Sequence, residues 1–181
     1  MKTITIHAGH NPKGRIACGA SDYLDESTEA RWITKKVAAI LRKRKMKVYD
    51  CTVNNGLNQR DILKKICTKC NAKNRDLDIS IHFNACKHSP TDGKTKGVEC
   101  HVYNLHTETA LLAGNICERV AKLGFTNRGV KESKGLYVLH NTTKPAILVE
   151  VCFVDDADDA KLYKKCKSEV AKAIANALYM W

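Results

Sequence analysis

Residues 78–85 read Asp78-Ile79-Ser80-Ile81-His82-Phe83-Asn84-Ala85. Ile79, Ile81 and Phe83 alternate with Asp78, Ser80 and His82, the period of two that marks a half-buried strand. Asn84 and the small Ala85 end it. A histidine near the end of a strand is unremarkable by itself, because a lone His beside a core is more often a hydrogen-bonded packing residue than a ligand. Its meaning depends on which other segments bring partners to the same place.

Working outward, strands and helices alternate along the chain. A first strand is expected over Thr3–Ile6, followed by a loop with Gly9, Pro12 and Gly14. A helix over 26–43 carries Ile33, Val37, Ile40 and Leu41 on one face. Then come a strand at 47–51, an Asn54-Asn55-Gly56 turn and a helix at 58–69. The strand at 77–83 leads into a polar loop, 87–96, with Pro90 and Gly93. A strand at 98–103 and a helix at 107–123, closed by Gly124, follow. Residues 136–139 and 146–154 read as two further strands. The acidic run Asp155-Asp156-Ala157-Asp158-Asp159 suits the positive N-terminus of a last helix that runs to the end. This alternation predicts an α/β layered domain with a largely parallel sheet. No repeat or domain boundary interrupts residues 1–181, so one domain is expected.

In such a sheet, functional groups gather where the strands end at their C-terminal edge. His10 lies in the loop after the first strand and His82 ends the third. Glu150 sits within Ile147-Leu148-Val149-Glu150-Val151-Cys152-Phe153-Val154, a run apolar enough to be buried. A buried carboxylate without a partner costs several kcal/mol, so it meets a cation such as a lysine or takes on proton transfer. Glu26 projects along the stripe of Ile33 and Val37 at the first turn of its helix, where helix capping is the plainer role. Glu29, its rival, points to the margin of that stripe. Two histidines and one or two carboxylates form a donor set suited to Zn²⁺, with the remaining carboxylate free to carry protons.

Several pieces match one family in order and spacing: Ile6-His-Ala-Gly-His10, Gly19-Ala20 followed by Asp25-Glu26, Ser80-Ile-His-Phe-Asn-Ala85, Gly97-Val98-Glu99, Gly135-Leu-Tyr-Val-Leu139 and Pro145-Ala-Ile-Leu-Val-Glu150. Across nearly its whole length the chain resembles the zinc-dependent N-acetylmuramoyl-L-alanine amidases of the type-3 family, phage endolysin catalytic domains in particular. The resemblance implies one three-layer α/β domain, a twisted, mostly parallel sheet of about six strands flanked by helices. It implies one zinc ion held by His10, Glu26 and His82, with Glu150 as the catalytic carboxylate, and hydrolysis of the bond between the lactyl group of muramic acid and L-alanine in peptidoglycan. Two positions depart from the family pattern. His7 stands where relatives often carry an acid, placed either to orient His10 or to coordinate the metal. Ala30 replaces a frequent Asn four residues after the ligand Glu. His140 is a further candidate for reaching the cleft, whereas His88, His101 and His106 attract no argument.

Composition bears on partners and compartment. The formal net charge is +12, which favours a polyanionic environment. A basic nucleic-acid-binding protein is the rival reading, but the aromatic residues are spread thinly and no basic run carries stacking residues. No nucleic acid is therefore expected, and anionic wall polymers fit the charge. A zinc peptidase cutting within the stem peptide is the alternative nearest in chemistry. No apolar run approaches the roughly 18 residues of a membrane span, so no membrane insertion is expected, and the start lacks the apolar core of a signal peptide. The expectation is a protein made in the cytoplasm that acts at the bacterial wall, without an appended wall-binding domain after the last helix. The oligomeric state stays open. Nine scattered cysteines read as reduced, mostly buried thiols, and the Cys67-Thr-Lys-Cys70 pair as structural.

Overall fold

The computed structural model describes residues 2–181. Its strands are β1 (Thr3–Ala8), β2 (Lys47–Asp50), β3 (Leu77–Asn84), β4 (Val98–Val102), β5 (Asn127–Glu132) and β6 (Ala146–Phe153). They form one six-stranded sheet in the order β2-β1-β3-β6-β4-β5. The helices are α1 (Glu26–Lys43), α2 (Gln59–Asn71), α3 (Glu108–Ala121), α4 (Tyr137–Asn141) and α5 (Ala157–Met180). Every ladder is parallel except that between β4 and β6.

Parallel neighbours need long crossovers, and the helices supply them while covering both faces of the sheet. That is why β3 and β6, at the centre, are buried along almost their whole length. Ile79, Ile81 and Phe83 of β3 face a main core shared with α1, α3 and α5. There the Phe83 and Tyr163 rings meet edge to face, 5.0 Å between centroids. The opposite face carries a smaller core in which Ile62, Ile66, Val138 and Leu139 from α2 and α4 pack with Ala146 and Leu148. This thinner layer leaves part of the sheet accessible.

Local chemistry sets the helix that matters most for the site. The Asp25 carboxylate accepts the Thr28 N–H at 2.9 Å and starts α1. Ile33, Val37 and Leu41 form its buried stripe, and Arg42 and Lys43 occupy the last turn, where the helix dipole favours cations. At the far end of the chain Asp156 caps α5 through the Asp159 N–H at 2.9 Å. Asp159 itself is buried and accepts Gly97 N–H at 3.0 Å and Phe153 N–H at 2.9 Å, tying the start of β4 and the end of β6 to α5.

Two expectations from the sequence need correction. Residues 136–139 do not form a strand; they enter α4, and Val138 and Leu139 are both buried although adjacent. A short apolar run lacks a decisive period, and here packing against Ala146 and Leu148 selects the helix. The sixth strand is instead Asn127–Glu132, which the sequence reading passed over. Asn127-Arg-Gly-Val-Lys-Glu132 has no apolar alternation because it forms the exposed edge, where charged side chains are favoured.

The cysteines pack as expected. Cys51, Cys67 and Cys70 belong to the smaller core, and burial pushes the Cys67 thiol up to about 11. That is opposite to the shift a reactive pair requires.

Candidate active site

Strand parity places the candidate residues before any contact is measured. Because Ile79, Ile81 and Phe83 face the main core, His82 faces the other side. Ala146 and Leu148 lie in the smaller core, so Glu150 shares that face with His82. His82 and Glu150 are register partners across β3 and β6, and Glu99 of β4 is the partner of Glu150 on its other side. A row of His82, Glu150 and Glu99 therefore crosses three strands.

Glu26 enters this row from the first turn of α1. Its Oε1 lies 3.1 Å from His10 Nε2 and 3.1 Å from His82 Nδ1, and it accepts the Phe83 N–H at 3.2 Å. Its Oε2 accepts the Ala20 N–H at 2.9 Å. One donor atom from each of His10, Glu26 and His82 lies within 4.8 Å of the others. Burial alone would raise the pKa of Glu26, but the two imidazoles outweigh it and hold the carboxyl well below the usual range. Burial lowers the pKa of His82.

The surrounding backbone is shaped to this cluster. A Cβ on Gly9 would stand 1.8 Å from His82 Cε1, and one on Gly19 would stand 2.4 Å from Glu26 Oε2. Gly19 also has φ +81°, a left-handed conformation that a side chain would strain. The Arg31 guanidinium clamps the loop after β1: it donates to the carbonyl of His10 and, at 3.0 Å, to that of Val53. Asn11 ties the same loop to Gly56 by paired bonds of 2.8 and 2.9 Å. Ala30, the other departure from the family pattern, is buried in the main core.

A divalent metal fits this constellation. Ligand bonds of about 2.0–2.1 Å in a tetrahedral site place donors about 3.3 Å apart, close to the 3.1 Å that separates each imidazole nitrogen from Glu26 Oε1. His10 Nδ1, His82 Nε2 and Glu150 Oε2 are buried without a hydrogen-bond partner among the described residues. Unpartnered buried atoms cost about 1–3 kcal/mol each, so their concentration here marks a place built for chemistry. Glu150 lies beside the cluster, and among the described residues no lysine or arginine pairs with it. Burial first, then the charges of Glu26 and Glu99, push its pKa well above the ordinary carboxylate value.

The other candidates lie apart from the donor cluster. His7 is buried on β1 with its Nδ1 3.4 Å from the carbonyl of Ala8, and burial followed by the His82 charge lowers its pKa to about 3. It stays neutral and packs next to the site. His140 is exposed on α4, its ring centroid 6.0 Å from that of Tyr103. Glu29 accepts the Tyr163 hydroxyl at 2.8 Å, a structural bond between α1 and α5. His101, which attracts no argument from the sequence, does reach the row: its Nε2 lies 3.2 Å from Glu99 Oε1. Alternation within Val98-Glu99-Cys100-His101-Val102 implied that Glu99 and His101 share a face, but not which strand lies next to them.

A sequence model of the N-acetylmuramoyl-L-alanine amidase family matches residues 4–179. The chain is 34% identical to an uncharacterized 38.4 kDa protein of Clostridium perfringens, over 97% of this chain and 51% of that protein. It is 32% identical to the endolysin of Bacillus phage SPP1, over 91% of this chain and 59% of the endolysin. Among solved structures, the catalytic domain of the CD27L endolysin targeting Clostridia Difficile superimposes with a TM-score of 0.86 at 26% identity, covering 99% of this chain and 98% of that one. The chain thus spans about half the length of the first curated relatives it matches, 51% in both Clostridium perfringens proteins.

Proposed function

The chain belongs to the N-acetylmuramoyl-L-alanine amidase family, and from that premise we propose that it hydrolyses the amide joining the lactyl group of muramic acid to the L-alanine of the peptidoglycan stem peptide. The observation that carries this reading is the convergence of His10, Glu26 and His82 within 4.8 Å, with Glu150 beside His82 in register and one of its oxygens unpartnered among the described residues.

His10, Glu26 and His82 would hold one Zn²⁺. When bound, zinc supplies Lewis acidity that polarises the amide carbonyl and lowers the pKa of water to about 7. Glu150 does the proton work. Its carboxylate accepts a proton from the attacking water and returns it to the alanine nitrogen, which cannot leave as an anion. Burial of Glu150 suits this duty, since an elevated carboxyl pKa brings the group nearer to the operating pH. Glu26 is pinned by the Ala20 and Phe83 amides, so it presents Oε1 to both histidines without rearrangement.

The site of action would be the bacterial cell wall, and anionic wall polymers would be attracted to the basic surface. A groove of about 950 Å³ beside the loop after β2 is lined by Arg15, Lys64, Lys65 and Lys69. Through Arg31 and Val53 it adjoins the loop that carries His10. Among the described residues, no helix is long and apolar enough to cross a membrane.

Elemental analysis and product analysis test the proposal together. The protein should bind one zinc, His82→Ala should lose it, and digestion of purified peptidoglycan should expose a new N-terminal alanine. A new peptide end within the stem would make the protein a peptidase instead. Intact peptidoglycan after digestion with the zinc-loaded protein would overturn the reading.

A further inference from the structure

The carboxylate of Glu99, unlike that of Glu150, is fully occupied, and its partners are unevenly charged. Oε2 accepts both Arg128 Nε at 2.6 Å and Lys131 Nζ at 2.5 Å. Oε1 accepts Asn84 Nδ2 at 2.9 Å and lies 3.2 Å from His101 Nε2. Burial by itself would raise the pKa of Glu99, but Lys131 and Arg128 outweigh it and hold the carboxyl at about 2. Burial lowers the pKa of His101, away from the charged form. Two full cations thus share one carboxylate, and one positive charge is left uncompensated.

Exposure shows which way the excess charge faces. The Glu99 side chain is 4% exposed, whereas those of Arg128 and Lys131 are 35% and 42% exposed. The Arg128 guanidinium lies 5.0 Å from the centre of the Phe153 ring, and only its Nε is engaged in a hydrogen bond among the described residues. The cations are therefore fixed from behind by a buried acid and open in front. Charges that merely guarded the edge strand would need no such anchor, because loose surface lysines do that work. A buried carboxylate shared by two side chains removes their rotamer freedom, which is the preorganisation a binding subsite requires.

Position completes the argument. Glu99 is the antiparallel register partner of Glu150, about 4.5–5.5 Å away between Cα atoms. A peptide extends at most about 3.3–3.6 Å per residue, so the carboxyl of the second residue, two residues from the bond at Glu150, falls at most about 7 Å away, within reach of side chains that already extend to Glu99. We propose that Arg128 and Lys131, held by Glu99, form an anionic subsite that takes the free α-carboxylate of the stem-peptide residue following L-alanine. This rests on the amidase reading above. An amidated residue at that position would bring no charge and could offer its one carbonyl oxygen to only one of the cations while turning its NH2 towards the other, so the subsite discriminates carboxylate from carboxamide.

The test uses two muramoyl-L-alanyl dipeptides that differ only in whether the second residue's α-carboxyl is free or amidated, with purified peptidoglycan as a parallel substrate. The zinc-loaded protein should show a KM about tenfold lower for the free acid, as charge-assisted bonds to a half-exposed anion would give, with similar kcat. Arg128→Gln and Lys131→Gln should each reduce that ratio towards one, and Arg128→Lys should keep part of it. Calorimetric binding of both dipeptides to Glu150→Gln should give the same ratio without turnover. Equal KM and equal affinity in these proteins would overturn the subsite, as would an unchanged ratio in an Arg128→Gln protein that melts like the parent. Peptidoglycan cleaved with no carboxylate preference removes the subsite alone. Peptidoglycan left without new N-terminal alanine removes the amidase reading, and the subsite with it.

Discussion

Glu150→Gln separates the proton chemistry from everything else at the site. Glutamine keeps the shape and polarity of the side chain and removes its capacity to accept a proton. A positioned general acid–base group contributes about 10²–10⁴-fold in rate, or about 2.7–5.4 kcal/mol of barrier at 1.36 kcal/mol per decade. Glu150 is asked to act both at attack and at departure, so the loss should fall in the upper part of that range. Folding should not suffer, because among the described residues Oε2 has no hydrogen bond to lose. The pKa of Glu150 is raised by burial and by Glu26 and Glu99. A carboxyl whose folded pKa lies above its unfolded value contributes stability at low pH and loses that contribution as pH rises through the folded value. Glutamine never ionises and escapes the loss. After chelation, the variant should therefore melt with the parent near pH 4 and at or above it at pH 8. The assays are zinc content, thermal melting and release of N-terminal alanine from peptidoglycan. A zinc-containing Glu150→Gln protein that works within tenfold of the parent rate would refute the assignment of Glu150 as proton carrier.

Further outcomes follow from the same geometry. Gly9→Ala would bring a methyl group to 1.8 Å from the His82 ring, so the ring must move; zinc occupancy should fall, with activity down by about a hundredfold, as expected for roughly 1 Å of misplacement. Unchanged metal content would contradict the packing described for that loop. The pKa of Asp159 is raised to about 6, mainly by burial, so its contribution to stability is present at pH below the usual 3.8 and is lost as pH rises through about 6. Denaturant titrations of Asp159→Asn against the parent should accordingly show the parent's relative stability declining between pH 4 and 7, and a flat difference would refute the sign. Binding to peptidoglycan carrying anionic polymers should weaken as salt rises from 0.05 to about 0.5 M, because the Debye length falls from over 10 Å to a few ångströms. Salt-independent retention in a pelleting assay would exclude a role for the basic groove.

How much was legible differs from element to element, for identifiable reasons. His10, His82 and Glu150 were readable because each interrupts a strong pattern: a histidine closing a regular strand, an acid inside an apolar run. Glu26 was readable because its angular position on α1 coincides with that of Ile33 and Val37. The short stretch at 136–139 was misassigned because four apolar residues carry no decisive period, and packing on β6 decided their conformation. The edge strand Asn127–Glu132 was missed because an exposed edge needs no apolar alternation. Arg128, Lys131 and Arg31 were invisible as site residues, since a cation acquires meaning only from the group it faces.

Local pattern by itself determined most of the strand–helix alternation, the largely parallel sheet and the faces of the strongly patterned strands, because these follow from periods of two and 3.6 along a contiguous chain. It also marked His10, Glu26, His82 and Glu150 as candidates, and the family resemblance separated His10, Glu26 and His82 from them as the ligand set. What only the tertiary structure decided was lateral order: that β6 lies between β3 and β4, placing His82, Glu150 and Glu99 in one row. Strand neighbours far apart in sequence are selected by burial and hydrogen bonding across the whole sheet, which no single segment encodes. The pairing of Glu99 with Arg128 and Lys131, and with it the excess charge beside the reaction site, exists only once that order is set.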